Sequence, residues 1–283
     1  MPVSDAELSS LASSHDIISI GMLADEARRA RHGTRTTFVR VADVAVEPGK
    51  RVDVPPAAGE VRIAGTPASR AAAVDRVREV TAAVRSVPVS GFSLADLEEL
   101  AASEQITLRQ LLEELHAAKL ELVAEAPFDR LKDPRRSVEE VNIAGLAVAR
   151  LTFDRLPAAD APAVLRQIAA LQRDVAVIRA FAPLPRRTNP AVPTTGYEDV
   201  KRVALARLCA DNIPSIQVDW SLYGPKLAQV ALTVGADDVD AVSPVDDMSL
   251  GRRRAPLEEV ISNIRSAGLQ PIERNGRFDL LPA

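Results

Sequence analysis

Short apolar segments rich in β-branched residues alternate with amphipathic helical patterns along most of this 283-residue chain. Counted from residue 36, eight segments have the composition of strands, and most of them are followed by a helical pattern. The predicted strands are TRTTFVRVADVAV, EVRIAG, VPVSGF, LELVAEA, AVARLTFD, VAVIRAFAPL, IPSIQVDW and DVDAVS. Two helical patterns precede the first strand, and a last extended piece, QPIERNGRFDLL, ends the chain's pattern.

This alternation is typical of a parallel sheet whose strands are joined by crossover helices. Eight such units predict an α/β fold of the (β/α)8 TIM type, a closed barrel with short N-terminal helices. The predicted division is an N-terminal helical segment, residues 1–34, and a barrel domain, residues 35–283. An open doubly wound sheet is the alternative, but no GxGxxG or Walker sequence follows a strand to favour it.

Charged residues interrupt several predicted strands, although parallel barrel strands usually consist of continuous Val, Ile and Leu. They are Arg62, Arg150, Arg179, Asp219 and Asp240. Because an unpaired charge inside a barrel is costly, we expect Arg150 or Arg179 to meet Asp219, Asp240 or a bound anion. A ligand-binding role and an internal layer of ion pairs without a ligand both explain the pattern.

Composition restricts the classes of partner. The chain is 47% hydrophobic and 26% charged, with a formal net charge of −4, so it has no electrostatic reason to bind nucleic acid or an anionic membrane. It has neither a long uninterrupted apolar run nor a basic, apolar leader, and we expect a cytoplasmic protein. The single cysteine, Cys209, cannot form an internal disulfide, and its helical pattern predicts a small core residue.

One segment resembles a known family. Residues 211–242, DNIPSIQVDWSLYGPKLAQVALTVGADDVDAV, resemble the C-terminal barrel segment of the radical S-adenosylmethionine enzymes of the futalosine route to menaquinone, aminofutalosine synthase and the cyclic dehypoxanthine futalosine cyclase. Further similarities run in patches over most of the chain, at 16–39, 60–68, 90–123, 181–190 and 258–274. The resemblance implies a barrel with its site at the C-terminal ends of the strands.

The chain departs from this family where radical chemistry needs specific residues. The family's [4Fe–4S] cluster is held by three thiolates in a CxxxCxxC loop after the first strand, whereas residues 41–60, VADVAVEPGKRVDVPPAAGE, contain no cysteine. The family's Gly-Gly after the second strand appears as AGTPA, and its glycine-rich stretch after the fourth as VAEAPFD. We therefore expect no iron–sulfur cluster, no other metal and no cofactor.

Three hypotheses follow. The first is a catalytically degenerate homologue that acts as a binding or accessory protein for a nucleoside-type ligand, with an active radical S-adenosylmethionine paralogue or a second copy of itself as partner. Its predicted binding residues are Arg179, Arg186, Asn189, Gln217, Asp219, Asp154 and Lys226.

The second hypothesis is a cluster-independent enzyme that uses the same mouth for acid–base chemistry on a futalosine-type nucleoside or a related small molecule. Its candidate acids and bases are Glu125, Asp154, Asp219, Asp246 and Asp247, with Arg186 and Arg187 as anion holders. The third is a structural subunit whose barrel mouth binds nothing.

Overall fold

The computed structural model describes residues 4–84, 86–155, 161–187, 195–249, 251 and 255–282. The strands in this part of the chain are β1 (Arg35–Ala45), β2 (Glu60–Ala64), β3 (Val89–Ser93), β4 (Leu122–Pro127), β5 (Ala147–Phe153), β6 (Ile178–Pro185), β7 (Ser215–Asp219), β8 (Asp238–Val242) and β9 (Gln270–Glu273). The helices are α1 (Asp5–Ser13), α2 (Ile17–His32), α3 (Arg70–Ala83), α4 (Leu94–Ser103), α5 (Leu108–Ala117), α6 (Pro134–Ile143), α7 (Ala161–Val175), α8 (Gly196–Cys209), α9 (Trp220–Thr233) and α10 (Pro256–Ser266).

Strands β1 to β8 close into a parallel barrel, which confirms the predicted (β/α)8 fold. Closure depends on the length of β1, because its N-terminal half pairs with β8, Thr37 opposite Asp238, and its C-terminal half pairs with β2, Val41 opposite Glu60. The last extended piece of the sequence forms β9, which adds to the start of β1 outside the closed ring. All strand carboxyl ends therefore meet at one end of the barrel, called here the mouth.

The hydrophobic core lies between the barrel and its surrounding helices. Alternate residues of a strand face opposite sides, so Ile216 and Val218 of β7 join this core while Gln217 and Asp219 face the lumen, the inside of the barrel. Cys209, the last residue of α8, is half-buried against the same core, as the sequence predicts. Because barrel helices run antiparallel to the strands, Cys209 lies at the end opposite the mouth.

Helix α9 differs from the sequence prediction. The Gly224–Pro225 pair in the sequence predicts a helix that begins there, because proline suits the first turn of a helix. In the structure a first turn already starts at Trp220, since Asp219 accepts a hydrogen bond from the Leu222 amide at 2.9 Å. Gly224 then interrupts the helix with φ 71°, and Pro225 begins the remainder. The interruption leaves Asp219 as the cap of a short turn at the mouth.

Helices α1 and α2 pack on the outside of the barrel. The Lys201 ammonium of α8 donates to the carbonyls of Ala12 and Ser14, and the Tyr197 hydroxyl donates to the His15 carbonyl at 2.7 Å. The predicted division into an N-terminal helical segment, residues 1–34, and a barrel domain, residues 35–283, stays a prediction. Among the described helices, none is both long and apolar enough to cross a bilayer.

A buried ionic cluster closes the barrel end opposite the mouth. Arg207 of α8 is 1% exposed and pairs with Asp237, which also accepts hydrogen bonds from the Ser215 hydroxyl and the Ile216 amide, both at 2.8 Å. The His32 Nε2 atom lies 3.5 Å from an Asp237 oxygen. This cluster joins the end of α2 to α8 and to the starts of β7 and β8.

The position of His32 predicts a pH dependence of stability. Burial lowers the pKa of His32 below its ordinary value of 6.5, and nearby arginines act in the same direction against Asp237. Just below pH 6.5, His32 therefore binds a proton in the unfolded chain but not in the folded chain. For this reason the free energy of unfolding should fall as the pH drops below 6.5. We expect His32→Gln to remove this loss, which is about 1.4 kcal/mol for each unit by which the pKa is lowered.

Urea denaturation of wild type and variant between neutral pH and moderately acidic pH checks this expectation. His15→Gln, at an exposed position, is the control and should leave the slope of stability against pH unchanged. Equal slopes for wild type and His32→Gln would contradict the assignment.

Candidate ligand site at the barrel mouth

Paired charges fill the lumen below the mouth. Arg62 donates to Asp240 at 2.9 Å and to Glu60 at 3.0 Å, and Arg150 pairs with the second oxygen of Asp240. This confirms the predicted meeting of Arg150 with Asp240. Deeper in the lumen, the Arg274 guanidinium donates a hydrogen bond to each oxygen of Asp238, both at 2.7 Å. Buried ion pairs thus occupy the lumen at this depth.

Above this layer lies a cavity of about 280 Å³ that opens at the mouth. Its volume is at the lower limit of the roughly 300–1,000 Å³ of small-molecule sites in proteins. The polar groups that line it come from the ends of seven strands or the residues just after them: Asp43, Arg62, Thr66, Ser93, Glu125, Arg150, Arg186, Asp219 and Ser221. Contributions from many strand ends are the usual construction of a site in this fold.

Arg186 connects two carboxylates across the cavity. It follows β6, pairs with Asp219 at the end of β7, and has its Nε atom 3.4 Å from a Glu125 oxygen at the end of β4. Burial opposes the charge on Arg186, but the two carboxylates outweigh that cost and raise its pKa above the ordinary value. Arg186 is therefore charged and already has two anionic partners.

Asp240 has the most perturbed carboxyl group in the layer below. Burial alone would raise the pKa of Asp240, but Arg62 and Arg150 outweigh it and hold the pKa far below the ordinary range. Arg150 has the opposite shift, because burial and the like charge of Arg62 lower its pKa. One carboxylate thus serves two buried guanidinium groups.

Several buried polar atoms beside the cavity have no hydrogen-bond partner among the described residues. They are the Ser93 hydroxyl, Glu125 Oε2 and Arg150 Nε. Buried polar groups in native proteins are nearly always hydrogen-bonded, and leaving one without a partner costs about 1–3 kcal/mol. The concentration of such atoms at one cavity indicates a place that a polar ligand or ordered water would complete.

The backbone at the mouth is also unusual. Phe92 in β3 and Ala241 in β8 both line the cavity and have positive φ angles, 66° and 57°. Such conformations in non-glycine residues cost on the order of 1–3 kcal/mol and are concentrated at functional sites. Gly65, at φ 118°, has a structural reason to be glycine, since a Cβ there would approach Val46 to 2.8 Å.

The structure brings some of the predicted binding residues together. Arg186 and Asp219 line the cavity, while Gln217 lies deeper in the lumen, where its amide donates to Asp238 at 2.7 Å. Asp154 pairs with Arg187 beside the mouth, with a hydrogen bond of 2.8 Å. The binding roles of these residues stay predictions.

Other predicted residues lie elsewhere. Arg179, expected to meet a carboxylate or an anion in the lumen, is exposed near the start of β6, at the end of the barrel opposite the mouth. Alternation along β6 puts it on the same side as Phe181, which pairs with Ile216 and faces the helices instead of the lumen. Lys226 is exposed on α9, and Asn189 lies outside the described residues. Asp246 and Asp247 are exposed in the loop after β8, where Asp247 accepts hydrogen bonds from Ser249.

The cavity residues missed from the sequence include Asp43 near the end of β1 and Ser93 at the end of β3. A signal for Asp43 existed, because it is a charged residue near the carboxyl end of a predicted barrel strand, as Arg62 and Asp219 are. Ser93 also precedes α4 and has the sequence pattern of a helix cap, yet it makes no capping hydrogen bond.

The residues at the mouth do not fit a thiolate-ligated iron cluster. Such a cluster needs three cysteines close together, and the sole thiol of the 283 residues, Cys209, lies at the opposite end of the barrel. The segment between β1 and β2, residues 46–59, contains neither cysteine nor histidine. In the described ranges no group of three or more His, Cys, Asp or Glu residues is arranged to hold a metal ion.

Comparison with known proteins confirms the resemblance that the sequence indicated. Residues 183–283 match the family model described as the CofH/MqnC C-terminal region. Aminodeoxyfutalosine synthase of Streptomyces coelicolor is 37% identical over 105 residues, which cover 35% of this chain and 26% of that enzyme. Cyclic dehypoxanthine futalosine synthase of the same organism is 25% identical over 218 residues, 68% of this chain and 55% of that enzyme.

These matches span about half or less of the two curated relatives. Among solved structures, methylornithine synthase superimposes with a TM-score of 0.68 over 96% of this chain and 94% of its own, at 13% identity. The hydrogenase maturase HydG from Carboxydothermus hydrogenoformans gives 0.66 at 12% identity, over 96% of this chain and 76% of its own. At such identities the similarity shows a shared fold.

Proposed function

Since residues 183–283 match the CofH/MqnC C-terminal region and the chain is similar to enzymes of the futalosine pathway, we propose that it is a cluster-free binding protein of that pathway. In this proposal the mouth cavity holds a nucleoside-type intermediate of menaquinone synthesis, and the protein acts beside an active enzyme of the same family or as an assembly of identical copies. It carries out no radical chemistry itself.

One observation carries the proposal. The mouth keeps a cavity with unpartnered buried polar atoms, which is what a binding site needs, while the donor set for a cluster is missing from the same place. Buried ion pairs occupy the lumen beneath, so the cavity has a closed, rigid polar base formed by Arg62, Arg150 and Asp240. Binding without redox chemistry is the function that this arrangement favours.

A second function has one observation in its favour. Asp43 is open to the cavity, and burial raises its pKa, as expected of a carboxylate that accepts a proton from a substrate. A cluster-independent acid–base enzyme would use such a group. It would convert a futalosine-type nucleoside or a related molecule, and Asp43→Asn would abolish turnover.

Anaerobic reconstitution with iron and sulfide tests the main proposal. After desalting, we expect less than one cluster per chain, without the visible absorption of an iron–sulfur centre, and no formation of 5′-deoxyadenosine from S-adenosylmethionine and a reductant. The physical reason is that one thiolate cannot hold a cluster that needs three.

Cys209→Ser is the matched control, because it removes the sole thiol. Iron retained equally by wild type and Cys209→Ser is nonspecific. A stoichiometric cluster in wild type that cleaves S-adenosylmethionine would overturn the proposal.

A further inference from the structure

Asp43 differs from the other carboxylates of the barrel mouth. Asp219 and Glu125 have Arg186 as partner, and Asp240 has Arg62 and Arg150. Asp43, by contrast, makes no hydrogen bond or ion pair with any residue in the part of the chain that the structure describes, although it lines the cavity and its side chain is open to it. Arg62 and Arg150 act on Asp43 only through longer-range electrostatic attraction, without a hydrogen bond or an ion pair.

The charges around the cavity do not balance. Three guanidinium groups, from Arg62, Arg150 and Arg186, face five carboxylates of the mouth and of the layer beneath it, from Asp43, Glu60, Glu125, Asp219 and Asp240. Asp96, also on the cavity wall, is neutralised separately by Arg130 at 2.8 Å. The local excess is therefore negative, so an anionic ligand would meet arginines that already have partners and carboxylates that repel it.

Of the three buried polar atoms beside the cavity that have no hydrogen-bond partner among the described residues, Glu125 Oε2 and the Ser93 hydroxyl can accept hydrogen bonds, whereas Arg150 Nε donates. Glu125 Oε2 has no hydrogen bond and has only the more distant guanidinium nitrogens of Arg186 and Arg150, at 3.4 and 3.8 Å. The Ser93 hydroxyl, which is also unpartnered, can accept or donate. A ligand that brings a positive charge and several donors would satisfy this set.

We propose that the mouth cavity binds a small molecule through a protonated amine, with Asp43 as the residue that anchors and selects it. This inference rests on the proposed function, since it names the chemical class of the ligand for the same site. The volume of about 280 Å³ limits that ligand to a metabolite of modest size. The ammonium group forms a charge-assisted hydrogen bond with the Asp43 carboxylate, and Ser93 and Glu125 take further donors of the ligand.

The electrostatics of the empty cavity agree with this. Burial raises the pKa of Asp43, and the nearby negative charges of Asp240 and Glu60 act in the same direction against Arg62 and Arg150. A bound cation would offset this cost and favour the ionised carboxylate. A neutral or an anionic ligand would not offset the cost of ionising Asp43.

Three probes on one framework test the inference. Adenosine carries a hydroxyl at its 5′ carbon, 5′-amino-5′-deoxyadenosine an ammonium group, and adenosine-5′-carboxylic acid a carboxylate. Affinities are measured by isothermal titration and by the rise in thermal midpoint of the full chain. We expect the ammonium probe to bind at least about tenfold more tightly than adenosine and the carboxylate probe to bind most weakly, because a hydrogen bond to a charged group contributes more than a neutral one.

Asp43→Asn should remove the preference for the ammonium probe while the binding of adenosine changes little. The substitution conserves shape and breaks no contact with the described residues, so the variant should fold. Asp75→Asn, on the outer face of α3 with a 60% exposed side chain, is the control and should keep the preference.

The outcomes separate the two proposals. If all three probes leave the midpoint unchanged, the proposed nucleoside-binding function fails and this inference fails with it. If adenosine or the carboxylate probe binds as tightly as the ammonium probe, or if Asp43→Asn keeps the preference, the role of Asp43 is wrong while the binding function stands.

Discussion

Replacing Asp240 by alanine should lower the free energy of unfolding by about 3–5 kcal/mol. Asp240 is 1% exposed and accepts hydrogen bonds from Arg62 and Arg150, both of which are buried in the lumen. Its removal leaves Arg150 without its hydrogen-bonded partner and Arg62 with Glu60 alone. Uncompensated buried charge, more than the lost contact itself, causes the loss.

Urea denaturation measures this effect when wild type and variants are compared with one common m value, the slope of the free energy of unfolding against urea concentration. Asp53→Ala, in an exposed loop with a 77% exposed side chain, is the control for the same substitution at the surface and should change stability by less than about 0.5 kcal/mol. Adding Arg150→Met to Asp240→Ala should recover part of the loss, because it removes the charge left unpaired. A cost of Asp240→Ala no larger than that of Asp53→Ala would contradict the ion-pair layer.

Asp237→Ala is the second large effect, expected at about 3–5 kcal/mol at the barrel end opposite the mouth. Asp237 is the anionic partner of the fully buried Arg207, and it also accepts hydrogen bonds from Ser215 and the Ile216 amide. Its loss leaves a buried guanidinium and a buried amide without their acceptor. Since the cluster is remote from the mouth, ligand binding by the folded fraction should not change.

Ser215→Ala provides the graded control for this site, because it removes one neutral hydrogen bond and leaves Arg207 paired. We expect it to cost about 1 kcal/mol. Denaturation curves for both variants, together with titration of the ammonium probe, check the two parts of the prediction. Equal costs for Asp237→Ala and Ser215→Ala would show that the buried charge is not the cause, and weaker probe binding by Asp237→Ala would show that the two barrel ends are coupled.

Buried ion pairs explain how the barrel accommodates so many charged residues in its strands. Each lumen-facing arginine that the structure describes in the buried layers has a carboxylate within hydrogen-bond distance, Arg62 and Arg150 at Asp240 and Arg274 at Asp238. Asp43 at the mouth is the contrast, because its carboxylate lines the cavity and has no hydrogen bond or ion pair with the described residues.

The sequence by itself determined the fold class, the eight barrel strands and the resemblance to the CofH/MqnC C-terminal region. These follow from the 2.0 and 3.6 residue periods of apolar positions and from residues 211–242, which are properties of short segments. It also predicted that Arg150 or Arg179 would meet Asp219, Asp240 or a bound anion, because burial of an unpaired charge is costly wherever the strand lies, and Arg150 meets Asp240.

Only the tertiary structure decided which charges share one level of the barrel. Arg179 and Arg186 belong to the same strand region, yet the first lies exposed near the opposite end and the second binds Asp219 at the mouth. Their separation along the strand gives these two arginines different levels, whereas the stagger between neighbouring strands decides which carboxylates of other strands lie at the level of Arg186. The sequence of a single strand does not contain this stagger. For the same reason Asp43, a residue 176 positions before Asp219 in the chain, lines the same cavity and has no hydrogen bond or ion pair with the residues that the structure describes.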